Sequence, residues 1–586
     1  MEATPSDIER PAGTPAGGAR FGSDAAAETL RALDIPFIAL TPGSSYRGLH
    51  DSIVNHLGND RPQMLVCLHE ESAVALAHGW AKVMERPMAA AVHSNVGLFH
   101  ATMAVFNAWC DRAPLLLLGA TGPVDAMKRR PWIDWIHTAQ DQGAVVRHYV
   151  KFDAQPASPA AAQADLARAV WMAGTAPMGP VYVNLDAGMQ EAALSEPLVP
   201  LAEERFRPKP DGGVSAAAID RAAALLRAAK APLILMGRVS RSESAWAARL
   251  ALAEALHALV ATDLKVGAAF PTEHPLHIGH PATFAGADLT AALAEADVIL
   301  SLDWVDLGGT LRACPGGMPK GGGMPEGKVI QVSLDHHLHN GWSMDHQAFP
   351  PVDLLLEGTP DAVVADIVRA LGIIVPPFQE SVAPVPKVPS AVGPIPVGRL
   401  AQALRVAVGE GPKGGNVTLS HVPLAWNPAD WPLAHPLDYL GQEGGAGIGA
   451  GPGIAVGAAL ALMGTDRLAV AVLGDGDYLM GVTALWTAAH YRIPLLVVVA
   501  NNRSLFNDEV HQERVARARN RPVENKWIGQ RLTDPAVDLA AMGRAQGAVG
   551  FGPVEDAADL PDVLAEAVAA VRAGAVAVVD VVVTTG

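Results

Sequence analysis

The chain is poor in cysteine, in basic charge and in long hydrophobic runs. Its 586 residues include three cysteines, Cys67, Cys110 and Cys314, which are too scattered to form a metal-ligand motif or a disulfide framework. Acidic residues number 60 against 43 basic ones, which gives a net charge of −17. Without a basic excess the chain cannot displace the counterions of nucleic-acid phosphates, so we expect no nucleic-acid partner.

No uncharged apolar run reaches the length of about 18 residues that a membrane-spanning helix requires. The N-terminal residues, among them Glu2, Asp7 and Glu9, lack the basic and apolar regions of a signal peptide. We therefore expect a reduced, cytoplasmic protein without a membrane partner. Half of the residues are hydrophobic and the mean hydropathy is +0.21, so the chain can bury large cores.

Two proline-rich stretches, residues 196–215 and 375–396, divide the chain into three blocks of similar length. Proline at this density prevents helix continuation, so both stretches are predicted to connect domains. Each block alternates short apolar runs with helical periodicity, which predicts an α/β fold of three doubly wound parallel-sheet domains. The predicted division is a flexible tail at 1–20 and domains at 21–195, 215–375 and 397–586.

The most specific motif lies in the third block, at the ends of two predicted strands. Gly474-Asp475-Gly476-Asp477 follows the apolar run Leu468–Leu473, and Asn502 and Ser504 follow the next apolar run. The carboxyl ends of parallel strands meet at one edge of a sheet, where ligands bind. The Asp475 carboxylate, the Asn502 amide oxygen and the Ser504 carbonyl oxygen suit Mg²⁺, and the glycines let backbone N–H groups approach a phosphate. Two tight turns without a ligand are the alternative.

The stretch from Gly474 to Ser504 resembles the cofactor motif of thiamine-diphosphate-dependent enzymes, and its segment Ala484–Ala489 is similar to decarboxylases of the benzoylformate type. The resemblance implies a bulky apolar side chain, here Ile448, that props the cofactor into a bent shape, with ordinary core packing as the alternative. It implies thiamine diphosphate and Mg²⁺ as cofactors. The residues that it assigns to cofactor binding are Ile448, Gly474, Asp475, Gly476, Asp477, Asn502 and Ser504, of which Asp475, Asn502 and Ser504 hold the metal. Ser420 and His421 follow the predicted strand Val417–Leu419 and are also predicted to bind cofactor, through the diphosphate, with the substrate as the alternative ligand.

Thiamine diphosphate becomes reactive only when a carboxyl group protonates N1′ of its aminopyrimidine, so the resemblance requires a buried glutamate in another domain. The family's leucine-histidine-glutamate segment and its later glycine-aromatic-alanine match Leu68-His69-Glu70 and Gly79-Trp80-Ala81. The residue carried over is therefore Glu70, also as a cofactor-binding residue, and not Glu71. A pair of first-turn acids favoured by the helix dipole is the alternative.

Two further residues of the first block match the same family. His93, which follows the predicted strand Met88–Val92, corresponds to a histidine that faces the substrate, and its near-neutral pKa suits proton transfer. Ser44 lies in a loop that offers a serine to the substrate carboxylate. A core histidine and a helix-capping serine are the alternatives.

The middle block departs from the family pattern. The second active-site histidine of the decarboxylases has no counterpart in Ser301–Leu307, and no G-x-G-x-x-G follows a strand, so we expect no flavin. Two assignments stay open. Arg129 and Arg130 form either a subunit contact or an anchor for an anionic substrate, and residues 503–521 form either a lid over the site or a solvated helix.

These motifs predict a lyase that decarboxylates a small 2-oxo acid without oxidation. A carboligase of the acetolactate synthase type and a 2-hydroxyacyl thioester lyase are the alternatives, followed by an oxidative dehydrogenase with a lipoyl partner. A noncatalytic relative that binds a nucleotide diphosphate is the hypothesis from a different class. Because relatives pair the first and third domains between subunits, the resemblance also implies a homodimer or homotetramer.

Overall fold

The computed structural model describes residues 5–13, 17–196, 198–199, 213–312, 327–338, 350–379, 391–409 and 416–584. Cys314 and much of the two predicted linkers lie outside these ranges. Within them, no helix combines the length and the apolar character needed to cross a bilayer.

Three parallel sheets organise the described chain, which confirms the predicted fold class. The first sheet contains β1 (Phe37–Leu40), β2 (Gln63–Val66), β3 (Met88–Val92), β4 (Leu115–Thr121), β5 (Asp153–Ala154) and β6 (Pro180–Asp186), in the order β2-β1-β3-β4-β6-β5. The second contains β7 (Pro232–Met236), β8 (Leu259–Thr262), β9 (Val298–Leu302), β10 (Lys328–Val332) and β11 (Leu354–Leu356), in the order β11-β10-β9-β7-β8. The third contains β12 (Ile395–Pro396), β13 (Val417–His421), β14 (Leu468–Gly474), β15 (Leu495–Asn501), β16 (Val549–Val554) and β17 (Val576–Thr584), in the order β12-β17-β15-β14-β13, with β16 also paired to β17.

Helices cover both faces of each sheet, so the central strands are buried along their whole length, as fully apolar runs predict. Those of the first domain are α1 (Gly22–Ala32), α2 (Arg47–Asp51), α3 (Glu70–Met84), α4 (Ser94–Cys110), α5 (Pro159–Gly174) and α6 (Ala187–Glu191). The middle domain has α7 (Ala216–Ala228), α8 (Glu243–Leu256), α9 (Ala287–Glu295), α10 (Leu307–Arg312) and α11 (Pro360–Leu371). The third has α12 (Val397–Gly409), α13 (Gly451–Leu462), α14 (Asp475–Gly481), α15 (Ala484–His490), α16 (Phe506–Ala518), α17 (Leu539–Ala545) and α18 (Leu560–Arg572).

The first and third domains are joined through helices α3 and α13, which cross at two glycines. A Cβ atom on Gly79 would lie 2.0 Å from the carbonyl oxygen of Ile454, and one on Gly457 would lie 1.8 Å from that of Leu76. Only glycine leaves room for so close an approach of two backbones. One hydrophobic core therefore runs without a break from the first sheet to the third.

Part of the segment predicted as a flexible tail instead makes specific contacts. The Gln63 side-chain amide donates to the carbonyl of Pro5 at 2.5 Å, and the Tyr491 hydroxyl donates to the Glu9 carboxylate at 2.7 Å. Gln63 belongs to the first domain and Tyr491 to the third. Residues 5–13 therefore bridge the two domains, which the polar, proline-containing sequence did not suggest.

Candidate active site

The carboxyl edge of the third sheet holds Asp475 and Asn502, as the motif predicts. Strands β14 and β15 are neighbours, and Asp475 opens helix α14 directly after the first of them. The backbone N–H of Ser504 donates to Asp475 Oδ2 at 3.1 Å and to Asn502 Oδ1 at 2.9 Å, and that of Gly476 donates to Asp475 Oδ1 at 2.8 Å. One pair of loops thus brings the three predicted metal ligands together.

This edge has the properties of a cation and phosphate site. Burial raises the pKa of the Asp475 carboxyl group above its ordinary value, because the charged form has lost its water. A divalent cation at the carboxylate would offset that loss, and carboxylate and amide oxygens are the ligands Mg²⁺ takes. Beside it, a Cβ placed on Gly474 would meet no atom within 4 Å, so the loop leaves open space over its backbone. The residues present therefore fit a magnesium diphosphate group.

Asp477, also predicted to bind cofactor, is directed elsewhere. Its Oδ1 accepts from the backbone N–H groups of Gly449 at 2.6 Å and Gly451 at 3.2 Å. These hydrogen bonds connect α14 to the turn that contains Ile448. Ile448 is 47% exposed, which leaves its side chain free to contact a ligand. Asp477 therefore shapes the cofactor loop through its side chain.

Two acidic side chains, Glu443 and Asp477, lie beside His421, and Glu71 is close enough to Asp477 to interact with its charge. His421 Nε2 lies 3.7 Å from Asp477 Oδ2, and its Nδ1 lies 3.1 Å from Glu443 Oε2. Burial raises the pKa of Glu443, and burial together with the charge of Asp477 raises the pKa of Glu71. Glu443 comes from a loop far from Asp477 in sequence, so no spacing pattern could have linked them.

Ser420 differs from its predicted role. It is fully buried, and its hydroxyl donates to the carbonyl of Val470 at 3.1 Å within the sheet. Strand β13 extends through His421, beyond the predicted end at Leu419, and strand residues alternate between faces. The hydroxyl of Ser420 therefore stabilises the β13–β14 pair instead of facing a ligand.

In the first domain, Glu70 is the first residue of helix α3, and three residues separate it from the end of strand β2. His69 caps this helix by accepting the N–H of Glu71 on its Nδ1 at 3.2 Å. The Glu70 carboxylate lies 3.0 Å from His100 Nδ1 and packs over Gly97, where a Cβ would come within 3.2 Å of it. The side chain of Glu70 is 13% exposed, so it is sheltered yet reachable.

His93 contacts Ser45, the neighbour of the predicted substrate-binding residue Ser44. His93 Nδ1 lies 2.7 Å from the Ser45 hydroxyl and also accepts the Ser45 backbone N–H at 3.4 Å. A backbone N–H can only donate, so we assign Nδ1 as the acceptor and place the proton of the neutral ring on Nε2. Ser44 instead accepts from Arg130 Nη2 at 3.0 Å, and Arg130 pairs with Asp134 at 2.8 Å. Arg130 thus stands at the predicted substrate loop.

Helix α16 occupies most of the predicted 503–521 segment. Its Glu509 is buried and accepts the Ser504 hydroxyl at 2.7 Å, so the helix is attached to the metal loop. The rest of the helix is largely exposed.

Glu70 of the first domain and the predicted metal ligands of the third domain make no direct polar contact in the described part of this chain. Among the described residues, no hydrogen bond or ion pair joins Glu70 to Asp475, Asn502 or Ser504. The helix neighbour Glu71 is the one that faces the third domain, close to Gly449.

Comparison with protein-family models gives one match for each sheet. Residues 20–146 match the N-terminal TPP binding domain of thiamine pyrophosphate enzymes, residues 219–341 match the central domain, and residues 424–581 match the C-terminal TPP binding domain. The three matches together cover more than half of the chain.

Whole-chain relatives catalyse more than one reaction. The chain is 25% identical over 450 residues to benzoylformate decarboxylase of Pseudomonas aeruginosa, with 74% of this chain and 78% of that protein covered. It is also 25% identical to the large subunit of acetolactate synthase isozyme 1 of Escherichia coli, with 86% and 85% covered. Among solved structures, a 4-hydroxybenzoylformate decarboxylase of Rhodococcus jostii superposes with a TM-score of 0.74 at 21% identity, over 96% of this chain and 99% of that one.

Proposed function

The chain belongs to the thiamine-diphosphate-dependent enzymes, as a decarboxylase or carboligase, and on that premise we propose that it decarboxylates a 2-oxo acid without oxidation, as benzoylformate decarboxylases do. The observation that carries the proposal is the group of proton-transferring side chains at the carboxyl edge of the first sheet. Glu70 lies close enough to His93 to oppose the lowering of its pKa by burial. In its protonated form His93 can donate a proton from Nε2 to the carbon that CO₂ leaves, while Nδ1–H donates to the Ser45 hydroxyl.

When bound, thiamine diphosphate supplies the nucleophilic carbon and the electron sink that the cleavage requires. The residues of this chain would hold and tune it. Asp475, Asn502 and the Ser504 carbonyl would bind Mg²⁺ and through it the diphosphate, and the exposed Ile448 side chain would support the cofactor. The Glu70 carboxyl group would hold a proton at N1′ of the aminopyrimidine.

We further propose that two copies of the chain complete each site, in a homodimer or homotetramer. Among the described residues, Glu70 makes no hydrogen bond or ion pair to the metal loop of its own chain, and large apolar side chains are exposed near both halves of the site. These are Leu68 at 48%, Phe99 at 54% and Met480 at 61% exposure. Apolar surface of this kind is characteristic of an interface core.

Acetolactate synthesis is the second candidate, because an acetolactate synthase aligns along 86% of this chain. In that case a second carbonyl compound, instead of a proton from His93, would take the carbon left by CO₂. The two reactions therefore differ in their products.

The test supplies the protein, loaded with thiamine diphosphate and Mg²⁺, with benzoylformate or pyruvate, each with and without benzaldehyde. We expect CO₂ and free aldehyde from benzoylformate, and no product when the cofactor is omitted. Acetolactate or a 2-hydroxy ketone as the main product would replace the decarboxylase proposal with the carboligase. Cofactor binding without CO₂ release from any 2-oxo acid of a broad panel would overturn both.

A further inference from the structure

His137 lies against His93, although its sequence context gave no reason to connect the two. The centres of the two imidazole rings are 4.8 Å apart, and the rings meet edge to face at 74°. We propose that His137 is a second proton-transferring histidine of the active site, acting as a pair with His93. The inference rests on the proposed function, since it assigns His137 a role in the same reaction.

The long connection that follows β4 holds His137 in place. The backbone N–H of Gly122 donates to the His137 carbonyl at 3.0 Å, and the His137 N–H donates to the carbonyl of Asp134 at 3.1 Å. The Asp134 carboxylate in turn binds Arg130, which reaches Ser44. The backbone at His137 is therefore fixed by hydrogen bonds to Gly122 and to Asp134, and Asp134 is linked through Arg130 to Ser44.

The His137 ring itself has an unused polar atom. Its Nδ1 is buried and makes no hydrogen bond to any described residue. Buried polar atoms in folded proteins nearly always have hydrogen-bond partners. We therefore expect His137 Nδ1 to bind a ligand or water in the space beside His93. His93 already uses Nδ1 for Ser45, so the two rings leave His93 Nε2 and His137 Nδ1 for the substrate side.

The charges around the pair favour one shared proton over two. Burial lowers the pKa of His93, the neighbouring His137 lowers it further, and Arg130 acts in the same direction. Glu70 opposes them, while Asp134 is neutralised by its ion pair with Arg130. Two imidazoles in contact therefore suit one protonated and one neutral ring, which is a donor beside an acceptor.

The proposed reaction needs such a pair. Breaking the bond to the carboxyl carbon releases CO₂ and leaves an electron pair on the neighbouring carbon, which takes a proton. The substrate oxygen takes up a proton when the 2-oxo carbonyl bond opens and gives it up again when the aldehyde carbonyl forms. One ring can supply the first proton while the other accepts the second, and solvent restores the single proton that the whole reaction consumes.

The experiment compares His137→Phe, which keeps an aromatic ring but cannot titrate, and His137→Gln, with His148→Asn as the control. His148 is an exposed histidine of the same domain that lies outside the site. Modification of individual histidines by diethyl pyrocarbonate is followed by mass spectrometry across pH, with and without thiamine diphosphate and Mg²⁺, and kcat and KM are measured on benzoylformate.

For both His137 variants we expect the pH midpoint of His93 modification to rise by about half a unit or more, because the neighbouring positive charge is gone. We also expect kcat to fall about tenfold or more with KM nearly unchanged, as for loss of a proton-transfer group. His148→Asn should change neither quantity.

An unchanged His93 midpoint, or a kcat within about threefold of the parent enzyme, would overturn the inference. Absence of turnover in the parent enzyme would refute the proposed function instead, and the midpoint would still decide whether the two rings are coupled. A melting temperature equal to that of the parent protein excludes misfolding as the cause.

Discussion

Glu70→Gln is the substitution that best separates chemistry from folding. It keeps the size and polarity of the side chain but removes the carboxyl proton proposed to reach N1′ of the cofactor. General acid–base groups contribute a factor of about 10²–10⁴ to rate, which corresponds to about 3–5 kcal/mol of barrier. We therefore expect kcat on benzoylformate to fall by at least about a hundredfold.

The effect on folding should be much smaller. Glu70 loses its pairing with His100, but that imidazole is 60% exposed, and pairs open to solvent contribute at most about 1 kcal/mol. The favourable interaction of a first-turn acid with the helix dipole is worth about 0.3–1 kcal/mol, and Glu71 keeps one such charge in place. The barrier should thus rise by more than the free energy of unfolding falls.

The matched control is Glu71→Gln, one residue further along α3. Glu71 faces Asp477 of its own chain, and burial and that charge raise the pKa of its carboxyl group. Neutralising it should leave kcat within a few fold and should not lower the melting temperature, because a repulsion is removed. The assay is kcat at saturating thiamine diphosphate and Mg²⁺, with cofactor affinity followed by tryptophan fluorescence. If Glu70→Gln keeps more than about a fifth of the parent kcat, or Glu71→Gln loses as much as Glu70→Gln, the assignment of Glu70 is wrong.

Three further predictions concern other parts of the molecule. Asp475→Asn should weaken Mg²⁺-dependent binding of thiamine diphosphate at least about tenfold in calorimetry, because a buried charged ligand is lost. Tyr491→Phe should lower the free energy of unfolding in urea by about 1–3 kcal/mol, since the buried Val66 N–H loses its acceptor and Glu9 loses its donor. His277, whose pKa is lowered to about 4 by burial, binds a proton more readily in the unfolded chain. The free energy of unfolding should therefore fall by about 2 kcal/mol between pH 7 and pH 5, a loss that His277→Asn should remove.

Each of these expectations has an outcome that contradicts it. Asp475→Asn with parent affinity would place the metal elsewhere, whereas Glu555→Gln, at an exposed acid of the same domain, should leave binding unchanged. A Tyr491→Phe protein that unfolds at the parent urea concentration would mean that the bridge by residues 5–13 adds nothing to stability. Parallel pH profiles for His277→Asn and the parent protein would show that His277 titrates normally.

The strands and the metal loop could be predicted because their signals are local. The apolar run Met88–Val92 became a strand with the same ends, since parallel strands buried on both faces need continuous apolar sequence. Strand β4 continues past its leucine run to Thr121, because its pairing with β6 continues there. The pairing of β4 with β6 depends on tertiary structure and cannot be inferred from the apolar residues of β4 alone.

The residues near His93 and His421 were harder to assign, because their roles depend on where each side chain points and not on its position along the chain. Ser44 and Ser45 are neighbours on one tight turn, and only the folded turn shows that Ser45 faces His93. His137 and Glu443 come from loops whose paths follow no periodicity, so no spacing could bring them to His93 or His421. For the serine turn the resemblance identified the loop, and the geometry selected the side chain, whereas His137 and Glu443 were found from the geometry alone.

The orientation of α3 explains why two adjacent acids can serve different sites. Successive residues of a helix point about 100° apart, so when Glu71 faces Gly449 and Asp477 of its own chain, Glu70 must face away from them. The helix cannot roll to reverse this, because Gly79 and Gly457 lock α3 against α13 with backbone contacts that tolerate no side chain. We therefore expect a cofactor bound at Asp475 to receive its glutamate from another copy of α3. The same glycines that join the two domains within one chain therefore favour an active site shared between two chains, and monomers trapped by dilution should bind Mg²⁺ and diphosphate without turning over substrate.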